Sequence, residues 1–156
     1  MSKEKIEYSY EQFEEGIDKI RDNILALGNP FNRIVGVCRG GLFPATRLSY
    51  MLKLPLTTLS WSLRDYNSER ESLEWLAQDI NAGQKILLVD DIIDSGETIN
   101  SILADWDANV GGTLDRENIS IATCIYNMDL EITPDFWDQA ISRKEDQRWV
   151  DFWWEK

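Results

Sequence analysis

The chain has 156 residues, 43% of them hydrophobic, and its 16 Lys+Arg against 28 Asp+Glu leave a formal net charge of −12. That is enough apolar material for one domain with a real core, and it argues against a disordered, collagen-like or disulfide-scaffold chain. So acidic a surface repels phosphate backbones and anionic lipids, and no Lys/Arg-rich run concentrates positive charge, which argues against a nucleic-acid partner. Histidine is absent, so His triads, His general bases and His-rich metal sites are excluded, and acid–base chemistry falls to carboxylates. Cys38 and Cys124 form no CxxC pair, as expected in a reducing compartment. The segment Met1 to Glu7 lacks the apolar centre of a signal peptide and no run is long enough to span a bilayer, so a cytoplasmic protein is expected.

Ser9 with Gln12 three residues on has the pattern of a capping box, and Phe13, Ile17, Ile20, Ile24 and Leu27 recur at helical spacing up to Gly28. An amphipathic opening helix is predicted. Arg33 to Val37 is a short β-branched run that ends at Cys38-Arg39-Gly40-Gly41, after which Leu42 to Lys53 carries a helical pattern. Leu56 to Trp61 reads as a second strand and Ser62 to Arg70 as a polar loop. Glu71 to Ile80 stays open, since Leu73 and Trp75 alternate while Leu76 and Ile80 are helically spaced. Lys85 to Val89 is almost wholly apolar, as in a strand covered on both faces, and Ile99, Ile102, Leu103 and Trp106 mark a further helix. Ile119 to Tyr126 supplies another strand, so strands and helices alternate as in a parallel α/β sheet. Beyond Asn127 the chain turns aromatic and irregular, with Pro134, Phe136, Trp137, Trp149, Phe152, Trp153 and Trp154, and reads as a small appendage. No repeat or linker divides it, so residues 1–156 form one domain.

The stretch that carries chemistry is Ile86-Leu87-Leu88-Val89-Asp90-Asp91-Ile92-Ile93-Asp94-Ser95-Gly96-Glu97-Thr98. A buried strand delivers acids at its carboxyl end, where open α/β sheets bind ligands, and a Ser-Gly-x-Thr turn opens the next helix. The amides of Ser95 to Thr98, the two hydroxyls and the positive helix end suit one phosphate. Acids beside a phosphate would repel it unless they address sugar hydroxyls or a magnesium ion on pyrophosphate oxygens. No Gly-Lys-Ser/Thr occurs, so a Walker A loop is absent.

This segment resembles the phosphoribosyl-pyrophosphate (PRPP) motif of type I phosphoribosyltransferases. Cys38-Arg39-Gly40-Gly41-Leu42-Phe43-Pro44 resembles the pyrophosphate loop of the xanthine-guanine and related purine members, with Cys38 in place of the usual serine. Arg148-Trp149-Val150-Asp151-Phe152-Trp153-Trp154-Glu155 resembles their terminal segment, in which an aromatic residue stacks on the base. The resemblance implies an α/β type I core, a central mostly parallel sheet flanked by helices, over about residues 30–127. A small C-terminal hood would follow from 128 to 156, with an N-terminal contribution allowed. It further implies Mg²⁺-dependent transfer of 5-phosphoribose from PRPP to a 6-oxopurine in purine salvage, by a homodimer or homotetramer. Cys38, Arg39, Gly40 and Arg64 would take pyrophosphate. Asp90, Asp91, Asp94, Ser95, Gly96, Glu97 and Thr98 would hold the ribose and 5-phosphate, with Asp90 and Asp91 on the metal and Asp94 handling the proton of the base. Asn127, Trp149, Val150 and Asp151 would receive the base; Asn127 stands where these enzymes usually place a lysine. Arg64 or Arg70 would fold with the polar loop onto pyrophosphate, and Trp153 and Trp154 are read as packing residues. A pyrimidine or orotate acceptor is the alternative within enzymes. Outside them stand a non-catalytic PRPP- or nucleotide-binding regulator and a flavodoxin-like binding module.

Overall fold

The apolar runs found in the sequence become the strands of one parallel sheet. Among residues 4–63 and 70–156, which the computed structural model describes, that sheet has the order β3 (Leu56–Ser60), β2 (Arg33–Cys38), β4 (Ile86–Ile93), β5 (Ile119–Asn127), β6 (Phe136–Ile141). All four pairings are parallel, so the carboxyl ends lie along one edge. The chain passes from β2 outward to β3, then back across β2 to β4, so the connections diverge between β2 and β4. In open α/β sheets such a switch point leaves a crevice at the carboxyl ends.

Strand alternation sends successive side chains to opposite layers. Leu87 and Val89 pack with Ile17 and Ile24 of α1 (Tyr10–Ala26) and Leu48 of α2 (Leu42–Leu52). Ile86 and Leu88 pack on the other face with Leu76 and Ile80 of α3 (Glu74–Asn81) and Ile102 and Trp106 of α4 (Glu97–Asn109). The segment that the sequence left open is thus helical, because Leu76, Ala77 and Ile80 share one buried face. The predicted capping box forms at Ser9: its Oγ accepts from the amide of Gln12 at 3.1 Å, and Gln12 Oε1 accepts from the amide of Ser9 at 2.8 Å.

The aromatic tail splits between two sheets. Phe136–Ile141 extends the main sheet beyond β5, so the sheet runs past Asn127. Trp149–Phe152 forms β7, which pairs in parallel with an N-terminal strand β1 (Lys5–Tyr8) that sequence reading did not foresee. Trp153 and Trp154 follow and pack as expected of structural residues: Trp154 stacks on Phe43 and Phe152 at centroid distances of 4.9 and 4.7 Å, and Trp153 meets Tyr10 edge-on at 5.3 Å. No helix among the described residues is long and apolar enough to cross a membrane.

Candidate functional site

A cleft of about 310 Å³ opens at the β2/β4 switch point. One wall is the turn after β2, with Cys38, Arg39 and Gly40, where the Cys38–Arg39 peptide is cis. Glycine is required at one position of this turn, and at a second a side chain would displace Asp91. A Cβ on Gly41 would lie 2.5 Å from the Val37 carbonyl and 2.7 Å from that of Val89, and a Cβ on Gly40 would collide with the carboxylate of Asp91. The turn is therefore pressed against β4, and its backbone edges the cleft beside the two acids.

The floor is the end of β4 and the start of α4. Asp90 is 8% exposed, and its Oδ1 accepts from the amide of Asp91 at 2.8 Å; Asp91 Oδ1 accepts in turn from the amide of Ile92. Burial, and then repulsion by Asp91, pushes the Asp90 carboxyl well above the ordinary carboxylate range. After Asp94 and Ser95, Gly96 takes φ +81° at the N-cap of α4, and among the described residues the first amides of the helix, apart from that of Glu97, which donates to Ser95 Oγ, have no side-chain cap, the arrangement that suits an anion. Ser95 Oγ lies 3.3 Å from the amide of Glu97. Ser95, Gly96, Glu97 and Thr98 all line the cleft.

Asp94 is held by a residue that sequence reading missed. Arg143, in the loop after β6, donates from Nε to Asp94 Oδ1 at 2.8 Å and from Nη2 to Asp94 Oδ2 at 3.0 Å. Its Nη1 reaches the carbonyls of Asp146 at 3.2 Å and Arg148 at 2.6 Å. No motif flags Arg143; only the fold brings it to Asp94. Glu155 was also missed as a site residue: it lines the cleft, and burial, followed by repulsion from Asp91, raises its carboxyl. Trp61, Ser62 and Leu63 complete the wall, and the Arg70 guanidinium sits 5.5 Å from the Trp61 ring centroid. Arg64 lies outside the described residues.

Of the predicted base contacts, Trp149 and Val150 line the cleft and two residues do not. Alternation along β7 leaves Trp149 51% exposed while Val150 and Phe152 are buried. Asp151 instead faces Lys5, with Nζ 3.6 Å from Oδ1, and the Lys156 ammonium at 4.0 Å. Asn127 is 6% exposed and its amide is spent on backbone: Nδ2 donates to the Asp94 carbonyl at 3.1 Å, and Oδ1 accepts from the amides of Asp129 and Arg143 at 3.0 and 3.4 Å. It anchors the loops behind Asp94 and does not line the cleft. Cys38 does line it, with a thiol raised by burial and hence neutral.

Among the described residues no group of three or more Asp, Glu, His or Cys side chains is placed to hold a metal ion unaided. The donor chemistry still fits Mg²⁺. That ion takes one or two carboxylates and draws its other oxygens from water and substrate phosphates, and a cation beside Asp90 and Asp91 would offset both the burial and the Asp91 repulsion that raise Asp90.

Arg39 and Gly40, the segment from Asp90 to Thr98 and Trp149 thus line one cleft at the switch point. The chain belongs to the phosphoribosyl transferase domain family, whose model matches residues 8–155. It is similar to a purine phosphoribosyltransferase from Pyrococcus horikoshii Ot3, at 22% identity over 97% of this chain and 94% of that one, with a TM-score of 0.72. It is similar also to the xanthine-guanine-hypoxanthine phosphoribosyltransferase of Helicobacter pylori, at 19% identity, 97% and 94% coverage and a TM-score of 0.69. A hypothetical protein from Neisseria gonorrhoeae with bound ppGpp matches at 20% identity over 100% of this chain and 92% of that one, with a TM-score of 0.69. At these identities the likeness is one of fold.

Proposed function

We propose that the protein transfers the 5-phosphoribosyl group of PRPP to a ring nitrogen of a 6-oxopurine, with Mg²⁺, in purine salvage. The observation that carries this reading is one cleft lined together by Arg39 and Gly40, by Asp90 to Thr98 and by Trp149. The bond from ribose C1 to the pyrophosphate oxygen breaks and a bond from C1 to the base nitrogen forms, through a sugar with oxocarbenium character. The chain must therefore hold the leaving pyrophosphate, fix the ribose and take the proton from the base.

The residues divide this work by place. The amides of Ser95 to Thr98 and the two hydroxyls take the 5-phosphate at the start of α4, and Arg39 with the Gly40 turn takes pyrophosphate. Asp90 and Asp91 accept from the ribose hydroxyls and hold Mg²⁺, which when bound supplies charge neutralisation for pyrophosphate. A carboxylate has about four acceptor sites, so Asp94 retains lone pairs for the proton of the base after its two bonds from Arg143. Trp149 offers the π face for stacking, with Val150 beside it. Tyr10, Phe43 and Tyr50, exposed on α1 and α2, supply apolar surface for a homodimer or homotetramer.

A second reading has one observation in its favour: the relative with bound ppGpp. The same cradle suits the diphosphate of such a nucleotide, which would make the chain a nucleotide-binding regulator. Incubation with PRPP, Mg²⁺ and one base at a time, followed by mass spectrometry, separates the two. The transferase reading predicts a nucleoside 5′-monophosphate with guanine, xanthine or hypoxanthine; PRPP left intact with every base, although it binds, would favour the regulator.

A further inference from the structure

Tyr8, the last residue of β1, is buried and does not line the cleft, and its hydroxyl donates to Asp138 Oδ2 of β6 at 2.8 Å. The carboxylate it meets sits in a notch of α1. Gly16 lies in the interior of that helix, where every residue but proline is more favourable than glycine. A Cβ there would collide with the Asp138 carboxylate and lie 2.8 Å from the Tyr8 hydroxyl. One turn on, Lys19 Nζ donates to the Asp138 carbonyl at 2.9 Å, so α1 holds Asp138 by its backbone as well as by the notch. Burial, followed by repulsion from Cys124 and the bond to Asp138, pushes the Tyr8 hydroxyl up and keeps it protonated, hence a donor.

Tyr8 pairs with Phe152 in the β1–β7 register, and its ring meets Phe152 and Trp154 edge-on at centroid distances of 5.5 and 6.5 Å. Phe152 lines the cleft together with Trp149, Val150 and Glu155 of the same terminal segment. That segment is gripped from the β6 side at its other end too: Arg143, two residues past β6, donates from Nη1 to the Arg148 carbonyl at 2.6 Å, next to Trp149. We infer that Tyr8 is a positioning residue: with its hydroxyl on Asp138 in the Gly16 notch, it clamps the β1–β7 pair to β6 and α1 and so sets the wall of the cleft that Trp149, Val150, Phe152 and Glu155 form. Val150 and Phe152 also pack in the core, but apolar burial is non-directional, whereas a hydrogen bond fixes the seat of the pair by distance and angle. The effect on ligands rests on the proposed transferase reading; the clamp is a property of the free protein.

The test compares wild type with Tyr8→Phe, which keeps the ring and removes the hydroxyl, and with Gly16→Ala, which fills the notch and displaces the Asp138 carboxylate while leaving the β1–β7 pair and the cleft unaltered in sequence. Amide hydrogen exchange of the free protein is followed strand by strand, and calorimetry gives the affinities for inosine monophosphate and for PRPP with Mg²⁺. Removing one partner of a buried hydrogen bond corresponds to roughly 10- to 100-fold in the equilibrium it supports. In both variants exchange in Lys5–Tyr8 and Trp149–Phe152 is expected to quicken by that factor with β2, β4 and β5 unchanged. Inosine monophosphate, which reaches the wall, is expected to bind roughly 10-fold more weakly, and PRPP to change less than about threefold. Exchange that quickens equally in every strand would show a general loss of stability and would overturn the inference, as would unaltered exchange in Tyr8→Phe, or unaltered nucleotide affinity in a variant whose β1–β7 pair has loosened. If Gly16→Ala does not fold, Tyr8→Phe decides alone. Failure of wild type to bind either PRPP or nucleotide would instead remove the transferase reading, and the clamp would still stand or fall on the exchange.

Discussion

Asp90 is a buried carboxyl that the fold keeps at a cost. It binds a proton more tightly folded than unfolded, so its contribution to stability is fully present below the unfolded-state value of about 4 and is lost as pH rises through the folded value. In metal-free buffer Asp90→Asn is therefore expected to raise Tm near pH 7, by about 2–4 °C for each kcal/mol recovered, and to flatten the decline of stability with pH. A thermal-unfolding series across pH checks this, and an unchanged profile would show that burial of Asp90 carries no such cost. Trp149, at the start of β7, is half exposed. Trp149→Ala should raise the KM for the base by roughly 10-fold or more, since stacking on a base contributes about 1–3 kcal/mol, with little change in the KM for PRPP. Steady-state kinetics with each substrate varied in turn decides it; equal increases would mean that the ring only packs.

At the scale of elements, the parts of the fold encoded by contiguous residues were legible. The Ser9–Gln12 box and the spacing of Phe13, Ile17, Ile20 and Ile24 marked α1 because both signals are local, and the cap is formed. Ser9→Ala should lower stability by about 1 kcal/mol, read as a fall of about 2–4 °C in Tm. The strand–turn–helix from Ile86 to Thr98 was legible for the same reason: acids, hydroxyls and glycine follow each other along one crossing of the sheet. Elements that depend on distant pairing were not. Lys5 to Tyr8 is a strand only because Trp149 to Phe152 lies beside it. Phe136–Ile141 is a strand because β5 offers an edge, although its residues look no different from the rest of the aromatic tail. Arg143 and Asp94 are 49 residues apart, and no spacing rule connects them. Asn127 shows the limit from the other side: its place at the end of β5 was legible, but not that its amide would be consumed by the loops around it.

At the scale of the molecule, the order β3-β2-β4-β5-β6 places the turn after β2 and the turn after β4 side by side at the switch point, and the β1–β7 pair brings Trp149 to the same cleft. The three groups come from the first core strand, the middle of the chain and its last ten residues, so the cleft exists only when the whole chain is folded. In the proposed reaction this cleft transfers phosphoribose with Asp94 taking the proton of the base. The decisive measurement is base-dependent pyrophosphate release from PRPP and Mg²⁺, for wild type and Asp94→Asn, alongside PRPP affinity. Wild type is expected to release pyrophosphate with a 6-oxopurine, and Asp94→Asn to turn over roughly 10²- to 10⁴-fold more slowly with PRPP affinity largely retained. Equal turnover in the two proteins would remove Asp94 from the reaction, and no release by wild type with any base would overturn the proposed transferase.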